Sequence, residues 1–342
     1  MQAQSQVDDT MIIPNAPDVP GMRFRRYRGE ADLPGMVEVF NASAEADGTE
    51  RYATLEDLAK VYSNLKNSEP DRDMIITEVT GANGSEIVGY SRVTWQVELD
   101  GTRIYEHFGF LKPEWRGKGV GTALVPWAEA RLREIAADHP DTGPRFLNSS
   151  AVERQTNLTD LLERRGYRPV RHGYDMLRPD LENIPDTPLP EGLDVRPVTP
   201  EHLRAIWEAE VEAFRDHWGS SEPDEGDFQR WLNESPFQPE LWQVAWDGGQ
   251  VAGMVRTFID HNQNARLGRQ RGYTENISTR RPWRRRGLAR ALMVLSMRLQ
   301  KELGMTETAL SADASNPSGA VQLYQSMGFQ VIRTETVYRK PL

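Results

Sequence analysis

The chain of 342 residues contains no cysteine. That absence excludes disulfides, thiolate zinc sites, iron–sulfur clusters and every cysteine nucleophile. Long apolar runs are missing as well. No stretch approaches the ~18 residues that a membrane-spanning helix needs, so no integral membrane protein is expected. Positive charge is not in surplus either: 41 Lys and Arg stand against 51 Asp and Glu, for a net charge of −10. Nonspecific nucleic-acid binders carry the opposite balance, so neither a nucleic acid nor a membrane is an expected partner. The opening MQAQSQVDDTMIIPNAPDVPG has neither a basic start nor an apolar core. It does not read as a secretory leader. It reads as a disordered tail over residues 1–21, with a cytoplasmic setting expected. No metal site is expected.

What is present suffices for two domains at ~150 residues each. Two segments share one grammar. Ile104–Ile135 and Tyr273–Leu303 each hold an extended run, a Trp-Arg pair, a Gly-containing turn and a long amphipathic stretch. Aligning Trp115-Arg116 with Trp283-Arg284 gives an offset of 168. β-branched runs precede each segment: Asp73–Val79 and Glu86–Leu99 in the first half, Leu241–Trp246 and Val251–Ile259 in the second. Downstream, LLERRGY (161–167) matches LYQSMGF (323–329), where Gly166 or Gly328 ends a helix and an aromatic starts a strand. Each half reads β-α-α-β-β-β-α-β-α-β. The expected division is 22–178, a proline-rich linker over 179–192, and 193–342.

The turns carry the chemistry. Arg116-Gly117-Lys118-Gly119-Val120-Gly121-Thr122 and Arg284-Arg285-Arg286-Gly287-Leu288-Ala289-Arg290 each lie between a strand and a helix. A helix N-terminus offers unpaired N–H groups and partial positive charge, and small residues let an anion approach them. Arg or Lys nearby adds charge-assisted bonds to phosphate. Such a turn suits a pyrophosphate. A dinucleotide fingerprint would need GxGxxG near the start of a βαβ unit, and a nucleotide P-loop would need GxxxxGK[ST]; neither copy fits. An ordinary helix cap with scattered surface arginines is the bland alternative.

The pattern [Arg/Gln]-x-x-Gly-x-[Gly/Ala] resembles the acetyl-CoA signature of GNAT acyltransferases. Arg116, Gly119 and Gly121 match it, as do Arg284, Gly287 and Ala289. Asn316, Tyr324 and Gly328-Phe329 match further features common in that family. The tandem arrangement is similar to that of mycothiol synthase, which acetylates an amino-sugar–cysteine conjugate. The resemblance implies an α/β chain of two tandem folds, each a mixed, mostly antiparallel sheet flanked by helices with a cleft where strands 4 and 5 splay. It implies acetyl-CoA as co-substrate, pairing with the backbones of Ile277, Ser278 and Thr279 and of Gly109, Phe110 and Leu111. The acceptor would be the primary amine of a small molecule, and the protein a monomer or homodimer. A CoA-binding sensor without enzymatic activity is the alternative class.

The copies differ. Four residues before Gly328 stands Tyr324, a phenol able to protonate a leaving thiolate. Four before Gly166 stands Leu162, which is not, and the position of Asn316 falls on Arg154. The resemblance implies a carboxylate base on the fourth strand. Glu275 fits, and strand alternation would place it on one face with Tyr273, Ile277 and Thr279. Its counterpart is His107, beside Glu106. Chemistry is expected in the second copy. The acidic and aromatic stretch Glu208–Trp218 either lines an acceptor pocket for a cation or forms a helix surface over Trp207, Val211 and Phe214.

Overall fold

The structure, a computed structural model, describes residues 9–82 and 84–342. Two compact units form: one through Val170 together with Thr336–Leu342, the other Arg171–Glu335. These boundaries fall inside strands, not in the proline-rich stretch, and each is described by itself. Among the described residues, no helix is long and apolar enough to cross a membrane.

The first unit contains β1 (Thr10–Met11), β2 (Met22–Arg25), α1 (Leu33–Asp47), α2 (Leu55–Ser63), α3 (Pro70–Asp73), β3 (Met74–Gly81), β4 (Gly84–Val97), β5 (Arg103–Leu111), α4 (Val120–Ala137), β6 (Arg145–Val152) and α5 (Thr156–Arg164). β7 (Arg168–Arg178) follows, and its part from Arg171 belongs to the second unit. Strand order is β1-β2-β3-β4-β5-β6. Pairing is antiparallel except β5 with β6. The first eight residues of the expected tail lie outside the described residues. The rest corrects that expectation: Thr10–Met11 pairs with β2 and Ile13 is buried. The apolar Met-Ile-Ile run gives this segment surface to bury.

The second unit contains β8 (Asp194–Val195), α6 (Leu203–Phe214), α7 (Glu225–Leu232), β9 (Gln243–Asp247), β10 (Gln250–Phe258), α8 (His261–Leu267), β11 (Arg271–Thr279), α9 (Leu288–Glu302), β12 (Glu307–Asp313), α10 (Ala320–Ser326) and β13 (Gln330–Pro341), whose last residues belong to the first unit. Its order is β8-β9-β10-β11-β12-β7, antiparallel except β11 with β12. The sheet is covered on both faces. Val251 and Met254 of β10 pack with Ile206, Phe228 and Trp231 of α6 and α7. Ala252 and Val255 pack with Leu288, Leu292 and Met293 of α9. Each fully buried Leu or Val contributes ~1.5–3 kcal/mol. Helix α8 was not expected between its two strands. Asp260 caps it by accepting from the Gln263 N–H at 2.8 Å, and Gly268 ends it at φ +62°.

Two features of β11 position the site. It pairs with β12 only from Arg271↔Glu307 to Tyr273↔Ala309, although it runs on to Thr279. Against β10 the register slips between Met254 and Arg256, so β11 holds one extra residue. Asn276 lies at this bulge with φ +48°. The bulge overturns simple alternation. Glu275 opposes Arg256 and Ser278 opposes Met254, so Glu275 shares its face with Ser278, and Thr279 takes the other. In the first unit β5 pairs with β4 in unbroken register from Gly89↔Leu111 to Val97↔Arg103.

Candidate active site

Both turns adopt one geometry. Gly119 caps α4 at φ +86° and Gly287 caps α9 at φ +85°, left-handed conformations that favour glycine. Position two of each turn is also left-handed: Gly117 at +72° and Arg285 at +62°. The leading arginine holds the turn in place. Arg284 donates to the Thr279 carbonyl at 3.0 Å, to Asp216 at 3.1 Å and to the Ala213 carbonyl at 3.1 Å. Arg116 donates to Leu111 O at 3.3 Å, to Asp47 at 2.5 Å and to Ser43 at 2.8 Å. Both guanidinia are engaged by the protein while remaining partly exposed.

The basic run divides accordingly. Arg280 pairs with Glu212, and Arg281 with Asp216. Among the described residues, Arg286 reaches only the Glu191 carbonyl and Arg290 only the Ser326 hydroxyl. Arg285 is exposed and has no polar partner among the described residues. Thus Arg285, Arg286 and Arg290 are the cations at the α9 N-terminus with the fewest protein bonds. A Cβ built on Gly287 meets nothing within 4 Å, so its backbone is open to a ligand. A Cβ on Gly119 meets Pro17 at 3.4 Å. Lys118 lies over the Trp115 ring at 4.4 Å.

Glu275 and Tyr324 both lie in the second unit. Burial pushes the Glu275 carboxyl up to about 8. Hydrogen bonding from Ser311 and the charge of Arg256 oppose this, while Asp175 adds to it. Burial also raises the Tyr324 hydroxyl, and the Glu275 carboxylate raises it further. Tyr324 is fixed from below. Its ring lies 6.4 Å from the Phe329 ring, and its carbonyl accepts the Phe329 N–H at 3.1 Å across Gly328 at φ +88°. Asn316 accepts from the Ser318 N–H at 2.9 Å, shaping the entry to α10. On the unpaired end of β11, Ser278 Oγ and Thr279 Oγ1 are buried without a hydrogen-bond partner among the described residues. Buried hydroxyls of this kind call for a partner.

The matching place in the first unit is filled. His107 shares a 2.9 Å hydrogen bond with the fully buried Tyr167, and burial pulls its pKa down to about 4. Leu162 is fully buried beside them. Glu106 accepts from Asn148 at 2.8 Å. Asp47 is buried and ties Arg116 to Gln155, whose amide donates to it at 2.7 Å.

Of the four carboxylates in the stretch Glu208–Trp218, Glu208 is exposed, and the other three are engaged within the protein. Glu212 and Asp216 are taken by Arg280, Arg281 and Arg284. Glu210 is turned inward, where it accepts from Trp231 Nε1 at 3.1 Å and from the Asn276 side chain. Sequence reading missed Asn276, Ser311 and Asp175, and took Glu210 only as part of the acidic stretch Glu208–Trp218. Of the three missed residues, Asn276 left a trace, as a turn-favouring residue inside an otherwise β-forming run.

Two stretches, residues 36–141 and 203–329, match the Acetyltransferase (GNAT) family. Among curated proteins, the mycothiol acetyltransferase of Catenulispora acidiphila is 26% identical over 323 residues, spanning 92% of this chain and 97% of that one. The mycothiol acetyltransferase of Streptomyces bingchenggensis is 28% identical, spanning 90% and 93%. Among solved structures, a GCN5-related N-acetyltransferase from Sphaerobacter thermophilus superimposes with a TM-score of 0.69 at 27% identity, covering 95% and 96%. A tandem GNAT protein from the clavulanic acid biosynthesis pathway shares the fold, with a TM-score of 0.64 at 14% identity, covering 94% and 98%.

Proposed function

The chain belongs to the acetyltransferase (GNAT) family, and from that premise we propose that its second unit transfers the acetyl group of acetyl-CoA directly to the primary amine of a small molecule. The observation that supports the reading is that the second unit carries Glu275, Tyr324 and an open helix N-terminus at Gly287, where the first unit has His107 bonded to Tyr167, a buried Leu162, and Pro17 against Gly119.

The pyrophosphate sits on the backbone N–H groups of Gly287, Leu288 and Ala289, with Arg285, Arg286 and Arg290 as outer cations. The pantetheine arm runs along Ile277–Thr279, where β11 has left β12. Glu275 takes one proton from the ammonium of the acceptor, directly or through water. The freed nitrogen lone pair attacks the thioester carbonyl carbon and forms the C–N bond. The C–S bond then breaks, its electron pair stays on sulfur, and Tyr324 gives the thiolate a proton. The second proton leaving the nitrogen restores Tyr324.

The two residues help each other. An ionised Glu275 holds the phenol proton tightly, and a protonated Glu275 no longer does. Proton arrival at the base therefore makes the acid stronger at the moment the thiolate forms.

The first turn keeps the same backbone geometry, so Gly109–Leu111 and Arg116–Thr122 are proposed as a second CoA site. Pro17 against Gly119 makes it the weaker one. Likeness to curated mycothiol acetyltransferases makes an amino-sugar–cysteine conjugate the first acceptor to try. A cytoplasmic setting follows from the use of acetyl-CoA.

The test is CoA release from acetyl-CoA across a panel of amines, read with a thiol reagent. The protein contributes no background because it has no cysteine. Thiol-bearing acceptors are followed by mass instead. Amine-dependent release with one acetyl added per acceptor supports the reading. Tight CoA binding with no turnover on any amine refutes it.

A further inference from the structure

Glu210 is 8% exposed, on α6, and no step above uses it. Its carboxylate faces three donors: Trp231 Nε1 at 3.1 Å, Arg256 Nη1 at 3.5 Å and the side-chain amide of Asn276. Arg256 and Trp231 have other company, since Arg256 also pairs with Glu234 and lies over the Trp231 and Trp242 rings. For the Asn276 amide, Glu210 is the hydrogen-bond acceptor that the structure shows.

Asn276 is the residue that makes β11 unusual. Its φ of +48° is disfavoured for any side chain with a Cβ, and it sits where the β10–β11 register slips. Such a conformation persists when the surroundings over-determine it. In the first unit the equivalent position, 168 residues earlier, is Phe108. There the strand is unbroken, and Phe108 packs under the Arg92 guanidinium at 4.8 Å. Bulge, asparagine and buried carboxylate occur together, and they occur in the unit that carries Glu275 and Tyr324.

We propose that Glu210 is a positioning residue: by holding the Asn276 amide it fixes the bulge in β11, and the bulge sets where Glu275 and the free edge Ile277–Thr279 stand. The proposal rests on the reading of the second unit as the reacting one. A displacement of about 1 Å in a reacting group costs ~10²-fold in rate, so a strand held one residue out of register is enough to matter.

The experiment uses Glu210→Ala, Glu210→Gln, Asn276→Gly and the double variant Glu210→Ala/Asn276→Gly in the full chain. Glycine takes a positive φ without a tether. Glu210→Ala is expected to lower kcat by ~10–100-fold. Glu210→Gln keeps an acceptor oxygen for Asn276 and stays within about threefold of wild type. Asn276→Gly is close to wild type, and the double variant recovers most of the activity that Glu210→Ala loses. A double variant as slow as Glu210→Ala, with wild-type thermal melting, overturns the proposal, as does wild-type kcat in Glu210→Ala. Crystal structures of the same proteins give a readout independent of turnover. The β10–β11 slip should vanish or shift in Glu210→Ala and return in the double variant. If the wild type turns over no amine, the functional reading fails while this register test still decides the role of Glu210. If Glu210→Ala does not fold, Asn276→Ala, which has no amide for Glu210 to hold, replaces it: a β10–β11 register at residues 254–256 that shifts in Asn276→Ala but not in Asn276→Gly upholds the tether, and a wild-type register in Asn276→Ala refutes it.

Discussion

Glu275→Gln should make the protein slower and, above pH 4.5, more stable at the same time. Burial lifts the Glu275 carboxyl from its ordinary 4.5 to about 8. Below pH 4.5 the group is protonated in both folded and unfolded chains and contributes nothing. As pH rises from 4.5 to 8 the unfolded chain ionises while the folded one resists, so wild-type stability falls through this window and levels off above it. The gap corresponds to at most ~5 kcal/mol at ~1.36 kcal/mol per pH unit. Water reaches part of the side chain, so ~2 kcal/mol is the working figure. Glutamine keeps an acceptor for Ser311 and never ionises. At pH 9 the variant should therefore melt about 4–8 °C above wild type, at ~2–4 °C per kcal/mol. At pH 4 the two should coincide. Kinetics move the other way. A base with this pKa is ionised in only about a tenth of molecules at pH 7, so wild-type kcat/KM should climb to a plateau above pH 8. Glu275→Gln should lose that limb and ~10²–10⁴-fold in rate. The assays are thermal melting and steady-state kinetics from pH 4 to 9.5. A melting gap that ignores pH, or a variant within threefold of wild-type kcat/KM, refutes the reasoning.

Tyr324→Phe keeps the ring on Phe329 and should lower kcat by ~10²–10⁴-fold while leaving the CoA dissociation constant unchanged, which kinetics and calorimetry together check. Leu162→Tyr should create no activity, since His107 and Tyr167 occupy the place of a base. His107→Phe strands the Tyr167 hydroxyl and should cost ~1–3 kcal/mol of stability at pH 7 with kcat unchanged, measured by denaturant unfolding. Because burial lowers His107 to about 4, wild-type stability from this group falls as pH drops from 6.5 toward 4, and the variant should lack that fall.

The tandem arrangement, the order of elements and both phosphate-type turns were legible because local signals carry them. Glycines at positive φ, β-branched runs and the 168-residue offset all lie within short windows. Tyr324 was legible by counting back from a helix-ending glycine. Three features were not. The bulge at Asn276 depends on a carboxylate 66 residues away, and period-two alternation cannot register an inserted residue. The membership of Arg171–Arg178 and Thr336–Leu342 in units other than those of their sequence neighbours is set by long-range pairing. The inward turn of Arg116 and Arg284 depends on Asp47 and Asp216, about 70 positions upstream. Helix α8 was readable in principle from Asp260 and Gly268, which mark its ends.

The most direct test of where the chemistry lies is the matched pair Gly119→Glu and Gly287→Glu. Both glycines sit at nearly the same φ, +86° and +85°, so the backbone strain introduced is equal. Each variant blocks one helix N-terminus with bulk and like charge. Acetyl transfer to a primary amine should persist at near wild-type kcat in Gly119→Glu and be lost in Gly287→Glu, with both proteins melting alike. Transfer lost in Gly119→Glu and retained in Gly287→Glu would place the reaction in the first unit and contradict the account.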